Sequence, residues 1–291
     1  MLLKIWTGFV RETIYYHSSG IIYIYNKKLI IIMIHNIDPI FISLGGFHIY
    51  WYGVMYLIAF FLSWYLGNFY IKNDIIKINS DEFSDLLFYS FVGVLVGGRL
   101  GYSIFYNLAY TLENPIAVFY IWNGGMSFHG GFIGVLLGII YFCKRKKIAF
   151  FEVSDFIVKL VPIGLFTGRI GNYINGELWG KPTDSFWGVI FTKVDNIPRH
   201  PTQIYEALLE GLLLFVILNI ILSKETRISF ITAYFLIFYS ALRFFVEFYR
   251  VPDSHIGYLI FSWVTMGQIL CVPMFFLGIY ILKIRKGKET L

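Results

Sequence analysis

The sequence predicts an all-α fold: a polytopic membrane helix bundle of about seven transmembrane helices, N-terminus outside and C-terminus cytoplasmic. The first reason is composition. With 57% hydrophobic and only 14% charged residues, and a mean hydropathy of +0.67, the chain cannot give a soluble globule a polar exterior. The second is that apolar runs of membrane-crossing length recur along it without the alternation of a barrel strand. The third is the uneven placement of basic residues between successive loops.

Taken in order, the expected spans are 47–71, 86–106, 125–143, 151–170, 203–222, 228–249 and 258–282. The fourth is the least apolar, because it carries Glu152, Asp155 and Lys159 near one end. One set of loops holds Lys72, Lys77, the run Lys144 to Lys147, Lys224, Arg227 and the tail residues Lys283, Arg285, Lys286 and Lys288. The alternate set holds only Lys181, Lys193, Arg199 and Arg250, so the tail is assigned to the cytoplasm and the first span starts outside. Residues 1–37 do not fit this pattern. Lys4, Arg11, Lys27 and Lys28 would interrupt any crossing, and no clean signal-peptide core is present. The region is therefore expected to be an extension, either one that precedes a true start at Met33 or one that is dispensable, ahead of a single integral-membrane domain over 38–291.

The net charge of +6 is accounted for by the cytoplasmic anchors and implies no nucleic-acid partner. Cys143 and Cys271 fall in spans at different depths and are expected to be packing residues. No nucleotide-loop or zinc-ligand spacing occurs, so no cofactor and no metal are expected.

Ionisable groups are costly in hydrocarbon, and here they gather on one side of the expected membrane. Tyr52 opens the first span, Arg99 lies in the outer half of the second, and His129 opens the third. Arg169 closes the fourth, His200 and Glu206 flank the start of the fifth, and Arg243 and Glu247 occupy the outer half of the sixth. Together they outline a polar chamber open to the outer leaflet. Arg99, Arg169 and Arg243 offer donor forks suited to a phosphate, which points to an anionic phospholipid. The competing reading pairs these arginines internally with Glu177, Glu206 or Glu247.

Gly93, Gly97 and Gly101 recur every four residues, as do Gly130, Gly134 and Gly138, forming ridges that let membrane helices approach closely. Gly130 and Gly131, beside His129, would also let backbone donors reach a ligand. His129 can take a proton near neutrality or can simply pack. His200, followed by Pro201, has the same two readings, and Tyr52 and Tyr239 either bond a headgroup or sit in an aromatic belt.

The segments WYGVMYL, GGRLGY, GGMSFHGG, GRIGNYINGELWG, RHPTQIYE and RFFVEFYRVPD, in this order, resemble prolipoprotein diacylglyceryl transferases over about residues 38–284. The resemblance implies a multi-pass enzyme of the bacterial cytoplasmic (inner) membrane. Such an enzyme moves the diacylglyceryl group of phosphatidylglycerol to the lipobox cysteine of a prolipoprotein, forming a thioether and releasing glycerol phosphate. It further implies phosphatidylglycerol contact at Arg169, with Asn172, Glu177 and Gly180 in the same segment. Importance is also implied for His129, Tyr52 and Arg243, and less defined roles for Tyr239, Glu206 and Glu247. On chemical grounds Arg169 and Arg243 are assigned to the phosphate and His129 to proton transfer or headgroup binding, with Arg99 as a further phosphate candidate. Two departures stand out: Tyr50 precedes Trp51 where relatives often have histidine, with His48 displaced, and Tyr173 replaces a common phenylalanine. A phospholipid transporter or flippase is the rival class, but it should show internal repeats or helices broken at the midplane.

Overall fold

The structure, a computed structural model, describes residues 13–17, 20–25, 28–120, 125–252 and 257–289. The expected extension over 1–37 therefore lies partly outside the described residues. So do Asp253, in the last of the family-like segments, and Gly124, in the third.

Helices dominate. They are α1 (Trp51–Lys72), α2 (Ser80–Phe105), the short α3 (Leu108–Glu113), α4 (Phe128–Lys146) and α5 (Phe150–Asn175). Three follow: α6 (Thr202–Ile221), α7 (Phe230–Val246) and α8 (Met266–Glu289). By length and apolar composition, α1, α2, α6 and residues Met266–Arg285 of α8 can cross a membrane. The other long helices miss that standard for identifiable reasons: α4 ends in Lys144, Arg145 and Lys146, α5 carries several charges, and α7 is a shorter apolar helix. Phe61, Tyr65, Phe88, Leu137, Ile221 and Phe276 are among many large apolar side chains left exposed, which water would penalise and lipid solvates. The chain is a membrane protein.

Strands are also present, a departure from the all-α expectation. A five-stranded sheet has the order β1 (Thr13–His17), β2 (Gly20–Tyr25), β3 (Lys28–His35), β6 (Val189–Phe191), β7 (Pro198–Arg199). β3 runs parallel to β6, with Met33 opposite Val189 and His35 opposite Phe191. A separate hairpin joins β4 (Ile40–Leu44) to β5 (Phe47–Tyr50) around Gly45 and Gly46, both at positive φ. The first expected span thus starts four residues late. Phe47–Tyr50 is apolar enough to read as helix, but its backbone pairs with β4, and α1 begins only at Trp51. The last span is delayed likewise, because residues 258–265 form a turn closed by an Ile260–Val264 bridge before α8 starts.

The chain divides into two compact units, Met1–Ser63 with Val158–Leu291, and Trp64–Ile157. In the second unit, the glycine ridges read from spacing do meet. A Cβ on Gly93 or Gly97 would strike the carbonyls of Gly134 and Gly130, one on Gly101 would lie 2.8 Å from Gly130 Cα, and one on Gly138 would lie 2.6 Å from the Tyr89 carbonyl. α2 and α4 therefore touch backbone to backbone. Their ends are sealed by capping. Glu82 N–H donates to Asn79 Oδ1 at 2.8 Å while Asn79 N–H donates to Glu82 Oε2 at 3.1 Å, and Gly130 N–H donates to Ser127 Oγ at 3.2 Å. Cys143 and Cys271 are both free and buried.

Candidate active site

In the first unit a charged cluster is built from three helices and the loop after α5. Along α6, Gln203, Glu206 and Glu210 follow one another at helical spacing, and all three are fully buried. The helix winds wider, in π geometry, over Ala207–Leu213, which helps to keep Glu210 under Glu206. Arg169, near the end of α5, places Nε 3.0 Å from Glu206 Oε2 and Nη2 3.8 Å from Glu210 Oε2. Arg243, from α7, pairs with Glu206 and reaches Glu210 Oε1 at 3.5 Å. Its other nitrogen lies 2.6 Å from Glu247 Oε2, and Arg250 Nη1 lies 3.8 Å from the same oxygen.

Buried charges need partners, since a lone one would cost several kcal/mol, roughly. Here they have them. Arg243 is the deeper arginine and Arg169 the more accessible, with side chains 10% and 18% exposed. Glu247 is held further by Thr265, whose hydroxyl donates to Oε1 at 3.0 Å while capping α8 by accepting Gln268 N–H at 3.3 Å. Tyr239 lies one turn before Arg243 on α7.

The cluster continues into the loop. Arg169 Nη1 donates to Asn172 Oδ1 at 3.4 Å, and Asn172 Nδ2 donates to Glu177 Oε1 at 2.8 Å. The loop backbone is tied to the start of α6: Thr202 Oγ1 donates to the Leu178 carbonyl at 2.9 Å and Gln203 Nε2 to the Glu177 carbonyl at 2.5 Å. Leu178 itself is held at φ +58°, a left-handed geometry that a non-glycine residue adopts only under such constraint. Gly180 is pinned between two segments, its N–H donating to the His200 carbonyl at 2.9 Å, and a Cβ there would lie 2.7 Å from His200 Cβ and 2.8 Å from the Tyr249 carbonyl. Only glycine fits. Tyr52, in the first turn of α1, bonds the Tyr56 hydroxyl at 3.2 Å, and its ring covers Gly171, where a Cβ would lie 2.9 Å away.

His200 sits at the edge of this region, with Nδ1 2.9 Å from the Tyr205 hydroxyl, and burial pushes its pKa below the ordinary imidazole value. Beside it an apolar cavity of about 320 Å³ is lined by Trp187, Tyr205, Leu208, Phe245 and Tyr249. Below the loop, His35 of β3 packs edge-on to Tyr173 and against Phe191, is also pushed down in pKa by burial, and fills the space beside Gly176.

Tyr52, Arg169, Asn172, Glu177, Gly180, His200, Glu206, Tyr239, Arg243 and Glu247 thus belong to one unit, whereas Arg99, His129, Gly130 and Gly131 belong to the other. In that second unit the Arg99 fork is committed to backbone carbonyls, donating to Val118 at 2.9 Å, Gly125 at 3.2 Å and Ala117 at 2.6 Å. His129 lies within the first turn of α4 and is exposed, and Gly130 and Gly131 beside it are helical as well. Gly130 is consumed by helix contact with Gly97. Sequence reasoning missed Glu210, although its spacing of four from Glu206 in an apolar run was a usable signal, and missed Thr202 and Gln203, whose partners lie far away in the chain.

Fold and site define a membrane-embedded helical protein whose interior carries arginines paired with carboxylates. A family model described as prolipoprotein diacylglyceryl transferase matches residues 39–284. A phosphatidylglycerol–prolipoprotein diacylglyceryl transferase of Legionella pneumophila (strain Lens) is 48% identical over 246 residues, covering 84% of this chain and 96% of that protein. Proteins of the same name from Pseudomonas putida and Oleidesulfovibrio alaskensis are 49% and 48% identical, covering 84% and 83% of this chain and 92% and 91% of their own lengths. The chain belongs to the prolipoprotein diacylglyceryl transferase family.

Proposed function

We infer that the chain is a transferase that moves the diacylglyceryl group of phosphatidylglycerol onto the lipobox cysteine of prolipoproteins. The observation that carries this reading is the bonded run from Arg169 through Asn172 to Glu177, joined at Glu206 to Arg243. The names of the relatives support it. In the reaction the thiol loses its proton and the thiolate attacks the glyceryl carbon. The carbon–oxygen bond to phosphate breaks, and its electron pair leaves with glycerol phosphate. A free thiol, with a pKa of about 8.5, is mostly protonated near neutrality, so a proton acceptor is needed.

Arg169, the more accessible arginine, receives the phosphate, and Arg243 stabilises the charge that grows on the departing oxygen. Their carboxylate partners keep both guanidinium groups aimed while the site is empty of lipid. Tyr52 and Tyr239 bond the headgroup region, and His129 is assigned as the base or as a headgroup ligand. Arg99 secures the loop of its own unit through the carbonyls of Ala117, Val118 and Gly125. We further propose about seven membrane crossings over 38–291 in the bacterial cytoplasmic membrane, N-terminus outside, C-terminus cytoplasmic, in line with the basic loops.

The test is transfer of labelled glyceryl lipid from phosphatidylglycerol to a lipobox peptide by purified protein. The expected outcome is thioether product with the native protein and a loss of at least about a hundredfold in Arg169→Ala. Absence of product from folded native protein rejects the reading. His129→Gln is expected to alter the pH dependence of turnover; an unchanged profile removes His129 from the role of base.

A further inference from the structure

Two buried amide oxygens flank Glu177 without a hydrogen-bond donor among the described residues, Gln203 Oε1 and Asn175 Oδ1. Each amide is oriented by its nitrogen. Gln203 Nε2 donates to the Glu177 backbone carbonyl at 2.5 Å, and Asn175 Nδ2 donates to Glu177 Oε1 at 3.3 Å. A carbonyl acceptor cannot take the amide's place at either partner, so neither oxygen can swap with its nitrogen and both remain turned away from Glu177. The orphaned oxygens of Glu206, Glu210 and Glu247 differ, because each carboxylate lies at ion-pair distance from an arginine. Gln203 Oε1 and Asn175 Oδ1 have no such counter-charge.

A buried neutral acceptor without a donor is costly to the empty protein and is ordinarily matched by something that binds. What it asks for is an uncharged donor, since a cation would be drawn instead to the carboxylates. Gln203 stands one turn from Glu206 on the same face of α6, and Asn175 stands one turn beyond Asn172 on α5, so both follow the arginine cluster outward. A phosphate held at Arg169 would carry its attached alcohol toward one or other end of this run.

We propose that Gln203 and Asn175 read the hydroxyl groups of the donor lipid's polyol headgroup, which makes them specificity-determining residues of the site. This rests on the reading that the chain uses phosphatidylglycerol. Two hydroxyls on the headgroup meet two acceptors, and the arginines, which recognise phosphate alone, would otherwise accept any phosphodiester lipid of the same charge.

The experiment compares transfer from phosphatidylglycerol with transfer from phosphatidylmethanol, which has the same charge and phosphodiester but no headgroup hydroxyl. Native protein is expected to prefer phosphatidylglycerol by about tenfold or more in kcat/KM. In Gln203→Met the ratio falls toward one, and in the gentler Gln203→Asn, which retracts the oxygen but keeps an amide, it falls partway. A native ratio near one overturns the proposal while leaving the transferase reading intact. A native preference that persists unchanged in the folded variants, whatever their absolute rates, also overturns it. No product from either lipid with native protein rejects instead the underlying reading.

Discussion

The two units hold their helices together by opposite means. Between α2 and α4 the contact is made of what is missing: glycines at every fourth position let one backbone rest on the other, and no side chain intervenes. Among α5, α6 and α7 the contact is made of groups that hydrocarbon tolerates least, two arginines sharing Glu206 and Glu210. Lipid weakens the apolar driving force between helices, so close packing and polar bonding are the two remaining sources of affinity. This chain assigns one to each unit. The glycine contact is one of packing, whereas the ionic contact is, in the function proposed above, the place where an anion competes for the arginines.

The sharpest way to break that contrast is to remove one partner from each side. Arg243→Ala leaves Glu206, Glu210 and Glu247 buried without their shared cation, at a cost of about 3–5 kcal/mol. Thermal unfolding in detergent should show the loss, and transfer activity should vanish with it. Gly97→Val drives a branched side chain into the Gly130 carbonyl, which belongs to backbone and cannot rotate away. The expected loss is about 3 kcal/mol or somewhat less, read from the same melting curves, with Gly97→Ala intermediate. If Gly97→Val melted like the native protein, the backbone contact between α2 and α4 would have to be abandoned.

The smallest expected effect concerns pH. Burial holds the pKa values of His35 and His200 below that of a free imidazole. Both therefore favour the unprotonated folded state. Their contribution is fully present above the ordinary value of about 6.5 and is lost as pH falls through the lowered folded value. The melting temperature should drop between pH 7.5 and pH 5.5, and the drop should shrink in His35→Phe, which keeps the packing against Tyr173 and Phe191 without the titration.

Much of this was legible in the chain. Apolar runs marked the long helices, and the spacing of Gly93, Gly97 and Gly101 against Gly130, Gly134 and Gly138 foretold their contact. The crowding of Arg169, Asn172 and Glu177 in one segment also translated directly, because residues so near in sequence must be near in space. What escaped was of another kind. Phe47–Tyr50 read as helix because apolar content does not distinguish an exposed apolar strand from the helix that follows it. The sharing of Glu206 and Glu210 between two arginines depends on where α5 and α7 lie beside α6, and no local pattern encodes that. The bonds of Arg99 to main-chain carbonyls escaped for a similar reason, since such partners have no letter in the sequence.

That last feature bears on how the chain can change over time. A guanidinium that grips Ala117, Val118 and Gly125 through their carbonyl oxygens does not read their side chains, but Gly125 is fixed on its own account, at φ +79° with the Tyr102 ring 2.5 Å from where a Cβ would stand. Val118 can therefore change so long as the backbone returns the same oxygen to Arg99, whereas Gly125 cannot, and the buried Ala117 can change only within its own space.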